Sequence, residues 1–135
     1  MNNKLVVLYV EDEVDIREEM YEILSLDFKN IIMAENGHIG LEMYKKHKPD
    51  LVISDLKMPF MDGIEMSKKM LEIDTNAKII LTTAFNEVSY IETAKEIGIK
   101  GYIKKPISID DLFKTISNIL PEEENEWIRK RKYKI

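Results

Sequence analysis

Short apolar stretches alternate along the chain with longer stretches in which apolar residues recur every three or four positions. The short stretches are rich in Ile, Val or Tyr, and such runs are typical of strands that are buried within a parallel sheet. They predict five strands, at residues 5–10, 31–34, 51–54, 78–83 and 101–104.

The longer stretches predict five amphipathic helices, because each carries its apolar residues on one helical face. The positions that define these faces are Ile16, Met20, Ile23 and Leu24; Leu41 and Tyr44; Ile64, Met70 and Leu71; Val88, Ile91 and Ala94; and Leu112, Ile116, Ile119 and Leu120. Asp62, Asn86 and Ser108 can cap helix N-termini. Gly98 and Pro121 stand where the fourth and fifth helices end.

Strict alternation of strand and helix predicts a doubly wound α/β fold, with parallel strands joined by right-handed crossovers and helices on both faces of the sheet. In such sheets the functional crevice lies outside the carboxyl ends of the strands, where the strand order reverses. The polar residues at the predicted strand ends are Glu11, Asp12, Asp55, Thr82, Thr83 and Lys105. The pattern therefore converges on one candidate site.

Three of these residues are acidic and follow two of the predicted strands. If the two strands are neighbours, the carboxylates raise each other's pKa and repel unless a cation lies between them. Mg²⁺ prefers carboxylate and water oxygens. Asp12 and Asp55 suit direct coordination, and Glu11 suits coordination through water. We therefore predict a magnesium site.

Asp55 is also a candidate nucleophile. Once a metal ion and the Lys105 ammonium offset the negative charge, its carboxylate can attack phosphorus and form an aspartyl phosphate. A hydroxyl of Thr82 or Thr83 can donate to a phosphoryl oxygen. Each residue alone has an ordinary structural interpretation, since Asp12 can cap the first helix and Lys105 can be a surface lysine. Their occurrence together at the strand ends favours the site.

Composition excludes several classes of function. The chain has 135 residues, 44% of them hydrophobic, which suits one domain of about 100 to 150 residues. We assign it to residues 1–120. The net charge of −5 argues against nucleic acid or an anionic membrane as a partner. The absence of cysteine excludes disulfides and thiolate metal sites. With no signal peptide or membrane-spanning run, we expect a cytoplasmic protein.

The charged tail at residues 121–135 differs in composition from the domain, because it is first acidic and then basic. Glu-to-Lys and Glu-to-Arg pairs can support an exposed helix, on which Trp127 and Ile128 would form an apolar edge. A frayed terminus is the simpler alternative. The sequence leaves open whether the tail is frayed, is the start of a linker, or docks a partner.

Five segments resemble the receiver domain of bacterial two-component response regulators, as found in chemotaxis regulators. They are VEDE at 10–13, SDLKMP at 54–59, MDG at 61–63, TTA at 82–84 and GYIKKP at 101–106. Their order and spacing are specific, and the resemblance spans residues 4 to 120. It implies a flavodoxin-like sheet with the strand order 2-1-3-4-5.

The resemblance implies that Asp55 accepts a phosphoryl group from a phosphohistidine on a sensor histidine kinase or phosphotransfer protein. It further implies that Asp12, Asp55 and the backbone carbonyl of Lys57 hold Mg²⁺, with Glu11 bound through water. The family more often has Asp at the position of Glu11. Lys57 and Phe85 occupy variable positions that are implicated in the lifetime of the phosphoryl group.

The resemblance also implies a switch. Thr83 matches the switch hydroxyl better than Thr82 does, and Lys105 matches the lysine that pairs with the phosphoryl group. Tyr102 falls on the aromatic switch position, although an aromatic residue in a strand is usually a packing residue. Pro106 is expected to follow a cis peptide bond.

The function that follows is phosphorelay signalling rather than catalysis on a separate substrate. Phosphorylation would switch a protein-interaction surface toward a downstream target or a fused output domain, and a phosphorylation-dependent homodimer is a further possibility. The alternative is a pseudo-receiver that docks partners without phosphorylation. A haloacid-dehalogenase-like phosphatase is disfavoured because Lys57 stands where it needs a second Asp. A flavodoxin-type cofactor site is disfavoured because Glu11, Asp12 and Glu13 would repel a phosphate.

Overall fold

The computed structural model describes residues 2–84, 87 and 89–121. Strands and helices alternate strictly within these residues. In chain order they are β1 (Asn2–Val10), α1 (Val14–Leu24), β2 (Phe28–Ala34), α2 (Gly37–His47), β3 (Leu51–Asp55), α3 (Gly63–Ile73), β4 (Ile79–Thr83), α4 (Ser89–Ile97), β5 (Gly101–Lys104) and α5 (Ile109–Ile119). None of the helices in the described part of the chain is long and apolar enough to cross a membrane.

All five predicted strands are present, but their boundaries differ from the prediction. β1 begins at Asn2 rather than at residue 5, and β2 begins at Phe28 rather than at residue 31. β3 extends to Asp55, and β4 begins at Ile79 rather than at residue 78. The second and third residues of β2 are polar and exposed, and a search for apolar runs therefore misses the start of this strand.

The strands form one parallel sheet in the order β2-β1-β3-β4-β5. This confirms the flavodoxin-like order that the resemblance implied. The order reverses at β1, since β2 lies on one side of it and β3 on the other. Asp55 pairs in register with Thr82, and Thr83 pairs with Lys104. The carboxyl ends of β3, β4 and β5 therefore lie at the same edge of the sheet.

Helices cover both faces of the sheet, and each face has its own apolar core. Tyr44 of α2, Met66 and Met70 of α3, and Ala94 of α4 pack on one face. Helices α1 and α5 pack on the other face, through residues that include Met20, Leu24, Leu112 and Ile116. Every residue of β3 and β4 is buried between these two layers. The sheet is thus a rigid support for the residues at its carboxyl edge.

Side-chain caps begin three of the helices. Asn36, Asp62 and Ser108 precede α2, α3 and α5, and each accepts a hydrogen bond from the backbone N–H three residues later, at 2.8, 2.8 and 3.0 Å respectively. Such caps contribute about 1 kcal/mol each. Gly98 directly follows α4 with φ of +102°, a left-handed conformation that favours glycine. The predicted cap Asn86 lies outside the described residues.

Candidate functional site

Asp55 and Lys105 form an ion pair at the carboxyl edge of the sheet. Asp55 is the last residue of β3, and Lys105 directly follows β5. The Lys105 Nζ atom lies 2.9 Å from Asp55 Oδ1, with the Asp55 side chain 7% exposed and that of Lys105 30% exposed. The Lys105 N–H also donates to the carbonyl of Thr83 at 2.8 Å. Two neighbouring strand ends therefore hold the lysine over the carboxylate.

Glu11, Asp12 and Asp55 bring three carboxylates together, each offering an oxygen within 4.8 Å of the others. Glu11 is buried and Asp12 is exposed. Glu11 Oε2 accepts the N–H of Glu13 at 3.2 Å, whereas its buried Oε1 has no hydrogen-bond partner among the described residues. Asp12 does not cap the first helix, because Glu13 occupies the N-cap position of α1. The alternative interpretation, in which Asp12 only caps the first helix, is therefore wrong.

The environment disfavours negative charge on Glu11 and Asp55. Burial, the neighbouring Asp12 carboxyl and the charge of Asp55 raise the pKa of Glu11 to about 7. Burial also raises the pKa of Asp55, although Lys105 acts in the opposite direction. Burial alone would lower the pKa of Lys105, but its hydrogen bond with Asp55 and the neighbouring negative charges raise it overall. The cluster therefore has more negative charge than one lysine compensates.

The donor set fits a hard divalent cation such as Mg²⁺. Carboxylate oxygens are the ligands that this ion prefers. The buried Glu11 Oε1, which has no hydrogen-bond partner within the described ranges, is the kind of atom that a cation or its bound water would satisfy. A divalent charge would also offset the repulsion among the three carboxylates.

Lys57 lies in the loop after β3, two residues beyond Asp55. Its side chain is exposed, and its Nζ atom lies 3.9 Å from the centroid of the Tyr90 ring. Tyr90 belongs to the first turn of α4. The side chain of Lys57 therefore points to α4, and the role predicted for this residue involves only its backbone carbonyl.

The loop between β3 and α3 folds closely against the backbone of Asp55. The Gly63 N–H donates to the carbonyl of Leu56 at 2.8 Å, and a Cβ atom at Gly63 would collide with the carbonyl of Asp55. Glycine is therefore required here for space. In the same loop, Phe60 has φ of +71° and is 93% exposed.

Both candidate threonines are buried near the end of β4. Thr82 lies opposite Asp55 in the register of the sheet. Thr83 continues the alternation of Leu81, which packs on the α2, α3 and α4 face. Tyr102 of β5 packs against the same core. The strand pattern thus places Thr83 and Tyr102 on one face of the sheet.

Tyr102 is half-buried, and its hydroxyl donates to the carbonyl of Ile99 at 2.6 Å. This hydrogen bond fixes the ring beside the loop between α4 and β5. The peptide bond between Lys105 and Pro106 is cis, as the resemblance implied. Phe85 and residues 122–135 lie outside the described residues, so the predictions for Phe85 and for the tail remain predictions.

Sequence reasoning missed one buried charge near the site. Glu87 is 5% exposed, and its Oε1 accepts the N–H of Ala84 at 2.6 Å. Its charge contributes to raising the pKa values of Asp55, Lys57 and Lys105. An acidic residue four positions after Thr83 was the available signal, but the stretch carries no apolar periodicity that predicts burial.

The chain resembles several known proteins. It matches the family model of the response regulator receiver domain over residues 7–117. Sporulation initiation phosphotransferase F of Bacillus subtilis is 36% identical over 125 residues, which cover 93% of this chain and 99% of that protein. The chemotaxis protein CheY of Halobacterium salinarum is 39% identical over 114 residues, covering 84% and 95% of the two chains. A receiver domain protein from Clostridium thermocellum shares the fold, with a TM-score of 0.84, 24% identity and coverage of 89% and 97%.

Proposed function

The chain belongs to the response regulator receiver domain family, and we propose that it is a Mg²⁺-dependent phosphoacceptor in phosphorelay signalling, with Asp55 as the modified residue. The observation that carries this proposal is the meeting of Asp55 with Lys105 at 2.9 Å and with two further carboxylates within 4.8 Å. This arrangement supports the proposal because it brings the candidate nucleophile, a cation and a candidate metal site together.

Phosphoryl transfer follows from the chemistry of Asp55. One carboxylate oxygen forms a P–O bond as the P–N bond to the donor histidine breaks. The histidine leaves as a neutral imidazole when its other ring nitrogen carries a proton. Lys105 is already within hydrogen-bond distance of Asp55, and its ammonium can remain beside the negative charge that arrives with the phosphoryl oxygens.

Asp12, Asp55 and the Lys57 backbone carbonyl would hold Mg²⁺, with Glu11 acting through a bound water. A bound Mg²⁺ ion neutralises anionic oxygens during phosphoryl transfer. Glu11 has a buried oxygen with no hydrogen-bond partner in the described part of the chain, which suits this outer position. Its longer side chain, compared with Asp, still reaches the cluster.

The switch involves Thr83 and Tyr102. The Thr83 hydroxyl would donate to a phosphoryl oxygen on Asp55, and the Tyr102 ring would move into the space that Thr83 vacates. The hydrogen bond from Tyr102 to Ile99 would then rearrange. A change from 1% to 99% active requires about 5.5 kcal/mol of differential stabilisation. The surface of α4, β5 and α5 would change its affinity for a downstream protein or output domain.

The partners follow from the same chemistry. The donor would be a histidine kinase or a phosphotransfer protein that carries phosphohistidine. The Bacillus subtilis relative is named a phosphotransferase, which supports a place for this chain within a phosphorelay. The Halobacterium relative is named a chemotaxis protein, which supports a signalling role for this chain.

Mass spectrometry tests the proposal. The chain is incubated with acetyl phosphate and Mg²⁺, with Asp55→Asn as the control. We expect the wild-type chain to gain the mass of one phosphoryl group and the variant to gain none. A wild-type chain that gains no mass from acetyl phosphate or from a competent phosphohistidine donor would instead support a pseudo-receiver that docks partners without phosphorylation.

A further inference from the structure

Glu87 is a buried carboxylate that the proposed phosphoryl transfer does not use. It lies two residues before α4 and is 5% exposed. Its Oε1 accepts the N–H of Ala84 at 2.6 Å, and its own N–H donates to the carbonyl of Ala84 at 3.0 Å. Its Oε2 is buried and has no hydrogen-bond partner among the described residues. One oxygen of this carboxylate is therefore well bound and the other is not.

A buried charged oxygen without a partner is costly. A neutral side chain of the same shape would accept the Ala84 N–H at a smaller desolvation cost. The charge also acts on the site, because Glu87 contributes to the raised pKa values of Asp55 and Lys105. The negative charge of Glu87 thus disfavours negative charge at Asp55. Its carboxylate also binds the backbone N–H of Ala84, the residue after Thr83.

We propose that Glu87 is a positioning residue that holds the Ala84 N–H in the unphosphorylated chain and releases it when Asp55 is phosphorylated. This inference rests on the proposed function. A phosphoryl group brings further negative charge into a region where the charge of Glu87 already acts, and the two anions repel. The Ala84 N–H directly follows the proposed switch residue Thr83, and a backbone N–H is a donor that binds anionic oxygens.

The resting carboxylate therefore takes the place of the phosphoryl anion and opposes phosphorylation. Its displacement would also free the chain just before α4, which belongs to the proposed output surface. Glu87 would in this way couple the chemical step at Asp55 to the start of α4.

The first test compares rates of phosphorylation of the wild-type chain and Glu87→Gln by acetyl phosphate at saturating Mg²⁺. Gln keeps an oxygen that can accept the Ala84 N–H but removes the charge. We expect Glu87→Gln to be phosphorylated about three- to tenfold faster, since one nearby like charge is removed. The matched control is Glu96→Gln, which removes an exposed charge from the other end of α4 and should leave the rate unchanged.

The second test follows the Ala84 amide of the wild-type chain by NMR, before and after beryllofluoride and Mg²⁺ are added as a phosphoryl analogue. We expect a large shift of this resonance, because its acceptor changes. This measurement decides the inference even if Glu87→Gln fails to fold.

The outcomes separate this inference from the proposed function. A wild-type chain that is not phosphorylated would overturn both the proposed function and the role of Glu87. A phosphorylated wild-type chain whose rate equals that of a folded Glu87→Gln, or whose Ala84 amide does not move, would overturn only the role of Glu87.

Discussion

The ammonium of Lys57 lies 3.9 Å from the centroid of the Tyr90 ring and joins the loop after β3 to the first turn of α4. A cation over an aromatic face is attracted by the electron density of the ring. Tyr90 also raises the pKa of Lys57 through a hydrogen bond. The contact therefore connects the loop that carries a proposed metal ligand to the helix of the proposed output surface.

Loss of this contact should loosen the start of α4. We expect Lys57→Met to increase hydrogen exchange of the α4 amides, whereas Lys57→Arg keeps a cation over the ring and should exchange like the wild-type chain. Neither variant removes the backbone carbonyl of Lys57, so the proposed metal site stays intact. Exchange rates that are equal in Lys57→Met and Lys57→Arg would show that the contact does not restrain α4.

Removal of the Lys105 ammonium should slow phosphorylation. Lys105→Ala leaves the buried Asp55 carboxylate without its fixed cation, and we expect a decrease of about 100-fold in the rate with acetyl phosphate. The control is Lys104→Ala, which removes an exposed lysine one residue earlier. The rate of mass gain checks this prediction, and similar rates for the two variants would contradict it.

The stability of the metal-free chain should fall as the pH rises. Burial first, and then Asp12 and Asp55, raise the pKa of Glu11 from 4.5 to about 7. Between these values the folded chain binds more protons than the unfolded chain, so the free energy of unfolding decreases with pH, by about 2 to 3 kcal/mol.

Thermal unfolding in EDTA between pH 5 and pH 8 measures this effect. Glu11→Gln should flatten the decrease, because its side chain does not titrate. Mg²⁺ should raise the melting temperature of the wild-type chain at pH 8, where Glu11 is mostly charged. A melting temperature of the metal-free chain that rises from pH 5 to pH 8 would contradict the raised pKa of Glu11.

Phe60 holds a left-handed backbone conformation, with φ of +71°, although it is 93% exposed. Its side chain therefore contributes little burial to offset a backbone cost of about 1 to 2 kcal/mol. We expect Phe60→Gly to raise the free energy of unfolding by up to about 1 kcal/mol, after the extra entropy of glycine in the unfolded chain is subtracted. Phe60→Leu keeps the strain and should leave stability unchanged in a urea titration.

The architecture could be predicted from the sequence because short apolar runs mark the strands and apolar residues at every third or fourth position mark the helices. Buried strands and amphipathic helices alternate without interruption, and this alternation decides the layers of the fold. Strand ends were predicted less well. The second and third residues of β2 are polar and exposed. They interrupt the apolar run between Phe28 and Ile31 on this edge strand, so the run itself predicts a later start.

In the candidate site, the residues at strand ends could be predicted from the sequence, whereas the conformation of the loops could not. Asp55 ends one apolar strand and Lys105 directly follows another, and the topology of a parallel sheet brings such residues to one edge. The burial of Glu87 and the left-handed conformation of Phe60 depend on how loops fold against the sheet. Such loop contacts leave no repeating pattern of apolar residues in the sequence, so they could not be predicted from it. The strand order itself came from the resemblance, because alternation alone is compatible with several orders.

All five residues of β3 are buried, and Asp55 stands at the end of this central strand. This buried strand fixes the position of Asp55 independently of the loops around it. Substitutions in the surrounding loops can therefore alter the surroundings of the proposed acceptor without remodelling the sheet that carries it.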